Sequence, residues 1–318
     1  MARGLHRPGA GDALVLRTDE LPWPAAACRR ELRFAGCRLA CVGTSQRLEI
    51  TLLPGTRALL AAHGRELPQR DDLCGAFCGA LALRAAGIEG GGGEGIDQDA
   101  VAVAAGSVIS PPRATGVLPL GESGRRDYRL SLPVIEDPAL SGTTATGLCR
   151  AVEELSTGQL AAIPYSGPWS ASALGELFEV AAGLKRPVTL VANLATRQLW
   201  GARPRTDQLL GYLFDGEQAG PAADWDVGHF ACVIGRVRGP AGILYGVADT
   251  YPSLGGGGLH LQPQERLALA LERPEMPPGG LIVIAFAQDA PAVRAGAGTL
   301  GLNEALWDNG TVIPEMLR

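Results

Sequence analysis

Two strand-like runs, GHFACVIGRV at 228–237 and GILYGVADTY at 242–251, are joined by only four residues, RGPA. Both are rich in β-branched and aromatic residues, and so short a Gly-Pro connection favours an antiparallel hairpin. Centred on Gly239, the hairpin sets His229 opposite Asp249; centred between Gly239 and Pro240, it sets His229 opposite Thr250. A one-residue slip turns a side chain to the other face of a sheet, so the sequence leaves both registers open. In either register Asp249 ends near His229.

Around this pair the chain offers both kinds of element. GAFCGALALRAAG (75–87) has helical spacing and a glycine stop, and GTRALLAAHG (55–64) fits a short helix before it. SGTTATGLCRAVEELSTG fits a capped helix and SASALGELFEVAAGL an amphipathic one; GQLAAIP, RPVTLVANLAT and GLIVIAFA fit strands. CRLACVG and RLEITLLPG, around TSQ, suggest a hairpin within 37–55. The stretch IEGGGGEGIDQD reads as a glycine loop, 107–130 as irregular, and so does the tail after GLIVIAFA. Helices precede sheet, an α+β pattern. The expected organisation is a β-rich N-terminal extension over 1–60 and one domain over 61–318, with a long insertion at about 88–226.

With 318 residues, 46% of them hydrophobic, the chain encloses a full core. A net charge of −5 gives no basic footprint, so neither nucleic acid nor an anionic membrane is an expected partner. No apolar stretch has transmembrane length, and the first twenty residues lack the apolar segment of a secretory signal. Seven cysteines (28, 37, 41, 74, 78, 149 and 232) form an odd, scattered set, which points to reduced thiols and a cytoplasmic location. Lys185 is the only lysine, which argues against Ser-Lys or Schiff-base chemistry. The Cys37/Cys41 and Cys74/Cys78 spacings lack the CxxC or HxxxH company of a zinc site, so no metal is expected. The glycine runs at 90–95 and 255–258 lack the setting of a phosphate loop, and no cofactor is expected.

Cys74 precedes the first glycine of a helix. There the dipole and unpaired amides favour thiolate, and the Cys74 amide would face an oxyanion formed by attack on a carbonyl. Gln69, five residues upstream, is a neutral donor suited to the second arm of an oxyanion hole. Asp71 and Asp72 oppose thiolate formation but suit a helix start. His229 opens a strand, which fixes its backbone at a sheet end. The other histidines carry blander readings: His6 in a terminal segment, His63 near a helix end, and His260 in a loop after four glycines. Asp249 suits the carboxylate that holds an imidazole tautomer, with Asp226 as a competing loop carboxylate. Cys78 and Cys232 read as core residues. Trp169, Trp200 and Trp225 fit either a substrate groove or the core edge.

The segments QRDDLCGAFCGALAL, GHFACVIGRV and GVADTYPS together resemble the papain-like cysteine peptidases, in particular the group that processes bacteriocin double-glycine leaders and its relatives. The resemblance covers about a third of the chain, in the order Cys, His, Asp. It implies an α+β papain-like fold, with an N-terminal helix carrying the Cys packed on a C-terminal antiparallel sheet carrying His and Asp. It also implies Cys74 as nucleophile, His229 as base, Asp249 as its orienter and Gln69 as oxyanion donor. The expected reaction is hydrolysis of a peptide or amide bond through a thioester. Three alternatives stand beside it. One is an acyltransferase or amide ligase on the same scaffold. Another is an inactive protein that binds a peptide or partner through the cleft or the N-terminal β region. The last is a structural thiol in an unrelated fold.

Overall fold

The computed structural model describes residues 14–16, 31–34, 37–40, 48–88, 90, 95–112 and 118–312. The chain begins with β1 (Leu14–Leu16), β2 (Glu31–Phe34), β3 (Cys37–Ala40) and β4 (Leu48–Leu52). Four helices follow: α1 (Thr56–Glu66), α2 (Cys74–Ala85), α3 (Gln98–Ala105) and α4 (Ala145–Leu155). Next come β5 (Leu160–Ser166), α5 (Ala171–Ala182), β6 (Val188–Ala195) and α6 (Thr206–Asp215). The last third holds β7 (Gly228–Arg238), β8 (Ile243–Ala248), β9 (Leu259–Pro263), α7 (Gln264–Glu272), β10 (Gly280–Phe286), α8 (Ala290–Ala297) and β11 (Asn303–Glu304).

The protein is mixed α+β, built on an open sheet of nine strands among the described residues, with every strand pairing antiparallel. Its path is β1–β4–β7–β6–β10–β5–β11. The long strand β7 is the branch point. Its first half pairs β6 and its second half pairs β4, while β8 and then β9 extend from its other side.

Helices cover both faces, which explains why β6 and β10 are apolar almost without interruption. Alternate residues feed two cores. Val191, Phe230, Cys232, Ile282 and Ile284 pack with α1 to α4, whereas Leu190, Ala192, Ala231, Val233, Leu281 and Val283 pack with α5, α7 and α8. Three helix starts are capped by side chains: Asp97 accepts from the Ala100 amide, Thr144 from Gly147 and Ser170 from Ala173. The start of α2 is different. Leu73 holds its N-cap position and offers no side-chain acceptor.

Several expectations change. The stretch 88–226 is not peripheral to the sheet, because β5 and β6 lie within it and β6 is hydrogen-bonded to both β7 and β10. Antiparallel partners can come from distant parts of a chain, so helices between strands gave no hint of this. The hairpin expected within 37–55 does not form: β3 pairs β2, while β4 joins β1 and β7. The described part of the N-terminal region therefore largely continues the main sheet. The tail after β10 forms α8 and β11 rather than irregular chain.

The contact of α2 with the sheet is tight at its first turn. A Cβ on Gly75 would lie 2.9 Å from Cβ of Thr143 and 3.2 Å from the Phe230 ring. Gly75→Ala should therefore overpack this junction and lower unfolding stability by about 1–3 kcal/mol, read as a shifted midpoint in denaturant titration. An unchanged midpoint would show that the junction has slack.

Candidate active site

Cys74 is the first residue of α2 and is half-buried, while Cys78, Cys149 and Cys232 are buried. The first amides of a helix have no partner inside it, and here no side chain caps them. Asp71 and Asp72, expected as candidate caps, turn elsewhere. Asp72 adopts a left-handed backbone (φ 65°), and its carboxylate accepts from the Ser110 amide (2.8 Å), Ser110 Oγ (2.7 Å) and Ser141 Oγ (3.0 Å). Asp71 accepts from the Arg125 amide at 2.8 Å and faces Arg126 at 3.5 Å. Both negative charges are thus shared with donors from 110–141. The helix N-terminus is left open.

His229, the second residue of β7, is 2% exposed, as is Asp249 just beyond β8. Their pairing depends on a β-bulge. Near the turn the register is Arg238 with Ile243 and Val237 with Leu244; continued unbroken, it would set Asp249 opposite Cys232, on the face away from His229. The register shifts between Val233 and Gly235, after which Cys232 pairs Ala248. Asp249 then comes opposite Ala231, on the His229 side of the strand. Neither register open in the sequence is the observed one. The approach of the two residues nonetheless holds: His229 Nε2 donates to Asp249 Oδ1 at 2.9 Å.

The Asp249 carboxylate is answered on every side. Oδ1 also accepts from the Thr250 amide at 2.7 Å, and Oδ2 accepts from His260 Nε2 at 3.1 Å. The backbone carbonyl of Asp249 accepts from His63 Nε2 at 2.6 Å. Three of the four histidines therefore converge on one residue. The tautomer of His260 follows from Gln262, whose Oε1 accepts from the Trp200 amide at 2.8 Å, which orients its NH2 toward His260 Nδ1 at 3.0 Å. His260 Nδ1 is thus an acceptor, and its Nε2 carries the proton given to Asp249.

His260 is not in a loop. It lies in β9, opposite Val247, and the glycines before it form the turn from β8. The alternation in Leu259, His260, Leu261 and Gln262 was the available signal, masked by the four glycines. His63, on α1, had no signal of its own.

Burial of His229 favours the neutral ring, but the Asp249 carboxylate, and after it Cys74, outweigh that and raise its pKa to about 10. Burial likewise pushes Asp249 up, and the His229 and His260 rings more than reverse this, holding it far below the usual carboxylate range. His63 is lowered by burial, against the pull of Asp249. Cys74 lies close enough to the His229 ring to act on its pKa. With Nε2 committed to Asp249, Nδ1 is the nitrogen left for the thiol. The Trp225 ring lies edge-on to His229 at 4.8 Å between centroids. Trp169 and Trp200 are buried.

Gln69 is buried, and its amide donates to the Thr250 carbonyl at 3.0 Å, which ties it to the residue after Asp249. Its side-chain oxygen has no partner among the described residues. Asp226 is exposed and faces Arg197 at 3.7 Å, away from the role given to Asp249. No group of three or more His, Cys, Asp or Glu among the described residues is placed to hold a metal ion. No described helix is long and apolar enough to cross a membrane.

A raised pKa at His229 links folding to pH. The stabilisation is complete below the ordinary value of 6.5 and is lost as pH rises through about 10. Between those values the unfolding temperature of the wild type should fall more steeply than that of His229→Gln, in parallel calorimetric scans. Parallel slopes would contradict a protonated ring.

The family of unknown function DUF6885 matches residues 53–308. No curated protein matches the chain.

Proposed function

The chain belongs to the family DUF6885, and within it we propose that this protein is a cytoplasmic cysteine hydrolase of papain-like fold, cleaving a peptide or amide bond. The observation that carries the reading is the linked set at the sheet end. A buried histidine gives one ring nitrogen to a buried carboxylate, and a cysteine at an uncapped helix start is near enough to act on the same ring.

In this mechanism the Cys74 proton resides on His229, whose charge Asp249 stabilises, and the thiolate attacks the substrate carbonyl carbon. The oxyanion is met by the Cys74 amide and the side-chain amide of Gln69, whose position beside Thr250 suits that role. Collapse expels the amine, which takes its proton from His229 and leaves an acyl group on Cys74. Water then attacks the thioester and yields a proton to His229, and collapse releases the acid and restores the Cys74 thiolate beside the protonated ring. An amine in place of water would make the same site a transferase.

Sub-stoichiometric iodoacetamide tests the nucleophile directly. Burial holds the Cys78 thiol well above its ordinary pKa and that of Cys149 at about 12, so both should react slowly. Cys74 should label first, and its labelling should slow in His229→Ala. Thioester formation in that variant should drop roughly 10²–10⁴-fold. A Cys74 that labels no faster than the buried thiols and ignores His229 would leave a binding protein instead. Product analysis with added amines separates hydrolysis from transfer.

A further inference from the structure

Arg273 follows α7 with a left-handed backbone (φ 49°), a conformation usually left to glycine or asparagine. It is 3% exposed and pairs with no carboxylate among the described residues. Its Nη1 donates to Asn193 Oδ1 at 2.5 Å and to the Pro278 carbonyl at 3.2 Å. Asn193 Oδ1 also accepts from Trp307 Nε1 at 3.1 Å, so the guanidinium is held by neutral acceptors alone. Nε has no partner, and Nη2 makes no hydrogen bond to the described protein. A buried cation is normally matched by a buried anion, because desolvating it alone costs several kcal/mol. Among the described residues no anion takes that place.

The position of the free edge matters. Nη2 sits 2.5 Å from where a Cβ on Gly228 would be, and Gly228 is exposed and directly precedes His229. Any side chain at 228 would cover the guanidinium. Burial lowers the Arg273 pKa and the field of Cys74 opposes this, while the Gly228 contact sets the guanidinium beside the residue that precedes His229. Asn193 pairs Phe230 across β6 and β7, which fixes Arg273 against the strand that carries His229.

We propose that Arg273 is the anchor for a carboxylate of the substrate, so that the amide or peptide cleaved at Cys74 carries a carboxylate close to the scissile bond. Nη2, the guanidinium nitrogen beside the exposed Gly228, presents a charged donor to one oxygen of such a group. This assignment rests on the nucleophile reading of Cys74 and narrows its substrates to anionic ones.

Two alkylating probes of equal size separate the two ideas. Iodoacetamide is neutral, whereas iodoacetate carries the carboxylate. The ratio of their rates at Cys74, normalised to the ratio at free glutathione, should favour iodoacetate by about tenfold or more, as expected for a charge-assisted hydrogen bond. In Arg273→Gln that ratio should return to the glutathione value, while Arg273→Lys should retain part of it. Should these variants fail to fold, malonate titrated against the wild type should slow iodoacetamide labelling of Cys74 at concentrations where malonamide does not. Fast iodoacetamide labelling with no preference for iodoacetate, or a preference that survives Arg273→Gln, would overturn the carboxylate anchor and leave the nucleophile standing. Slow labelling of Cys74 by both probes would remove the nucleophile reading itself, and the anchor with it.

Discussion

Burying a carboxylate costs several kcal/mol unless each of its oxygens finds a donor, and the protein concentrates its scarce histidines on that task. Asp249 receives His229 and Thr250 on one oxygen and His260 on the other, and His63 holds its backbone. Each of these donors comes from a different element: α1, β7, β9, or the chain just after β8. Much of the local architecture is a consequence. The β-bulge in β7, the glycine turn into β9 and the packing of α1 all serve to bring donors to one point.

The Asp249 network also makes the chemistry of the cysteine corner asymmetric. On one side, hydrogen bonds run from Asp249 through His260 and Gln262 to the Trp200 backbone, ending in fixed neutral groups. On the other, His229 faces a thiol at a helix start that lacks a cap. Rigid partners behind the carboxylate fix the ring in front of it, which is the preorganisation that proton transfer requires. The aspartates beside Cys74 are kept from interfering because residues 110–141 supply their donors. The segment between the Cys helix and the His strand is thus both part of the sheet and a wall of the site.

Two buried side-chain atoms without partners, Gln69 Oε1 and Arg273 Nε, belong to residues near this corner, in an interior where buried polar atoms are nearly always paired. The amides at the start of α2 have no side-chain cap, and Nη2 of Arg273 makes no hydrogen bond to the described residues. Donors of that kind beside Cys74 suit an electron-rich ligand. In the proposed reaction they would meet a substrate with a carbonyl and a negative charge.

The sequence by itself determined the helix that begins at Cys74, the runs that become β6, β7, β8 and β10, and the approach of Asp249 to His229. These rest on local patterns, spacing and a short connection, which act between neighbours in the chain. The tertiary structure decided the rest. The hairpin register turned on a bulge at Val233–Gly235 that no composition rule announces. His260 reaches Asp249 because β9 adds to β8, and Arg273 reaches Asn193 because α7 ends beside a strand eighty residues earlier. Contacts of that kind are set by how distant elements pack, and a single chain's local pattern holds no record of them.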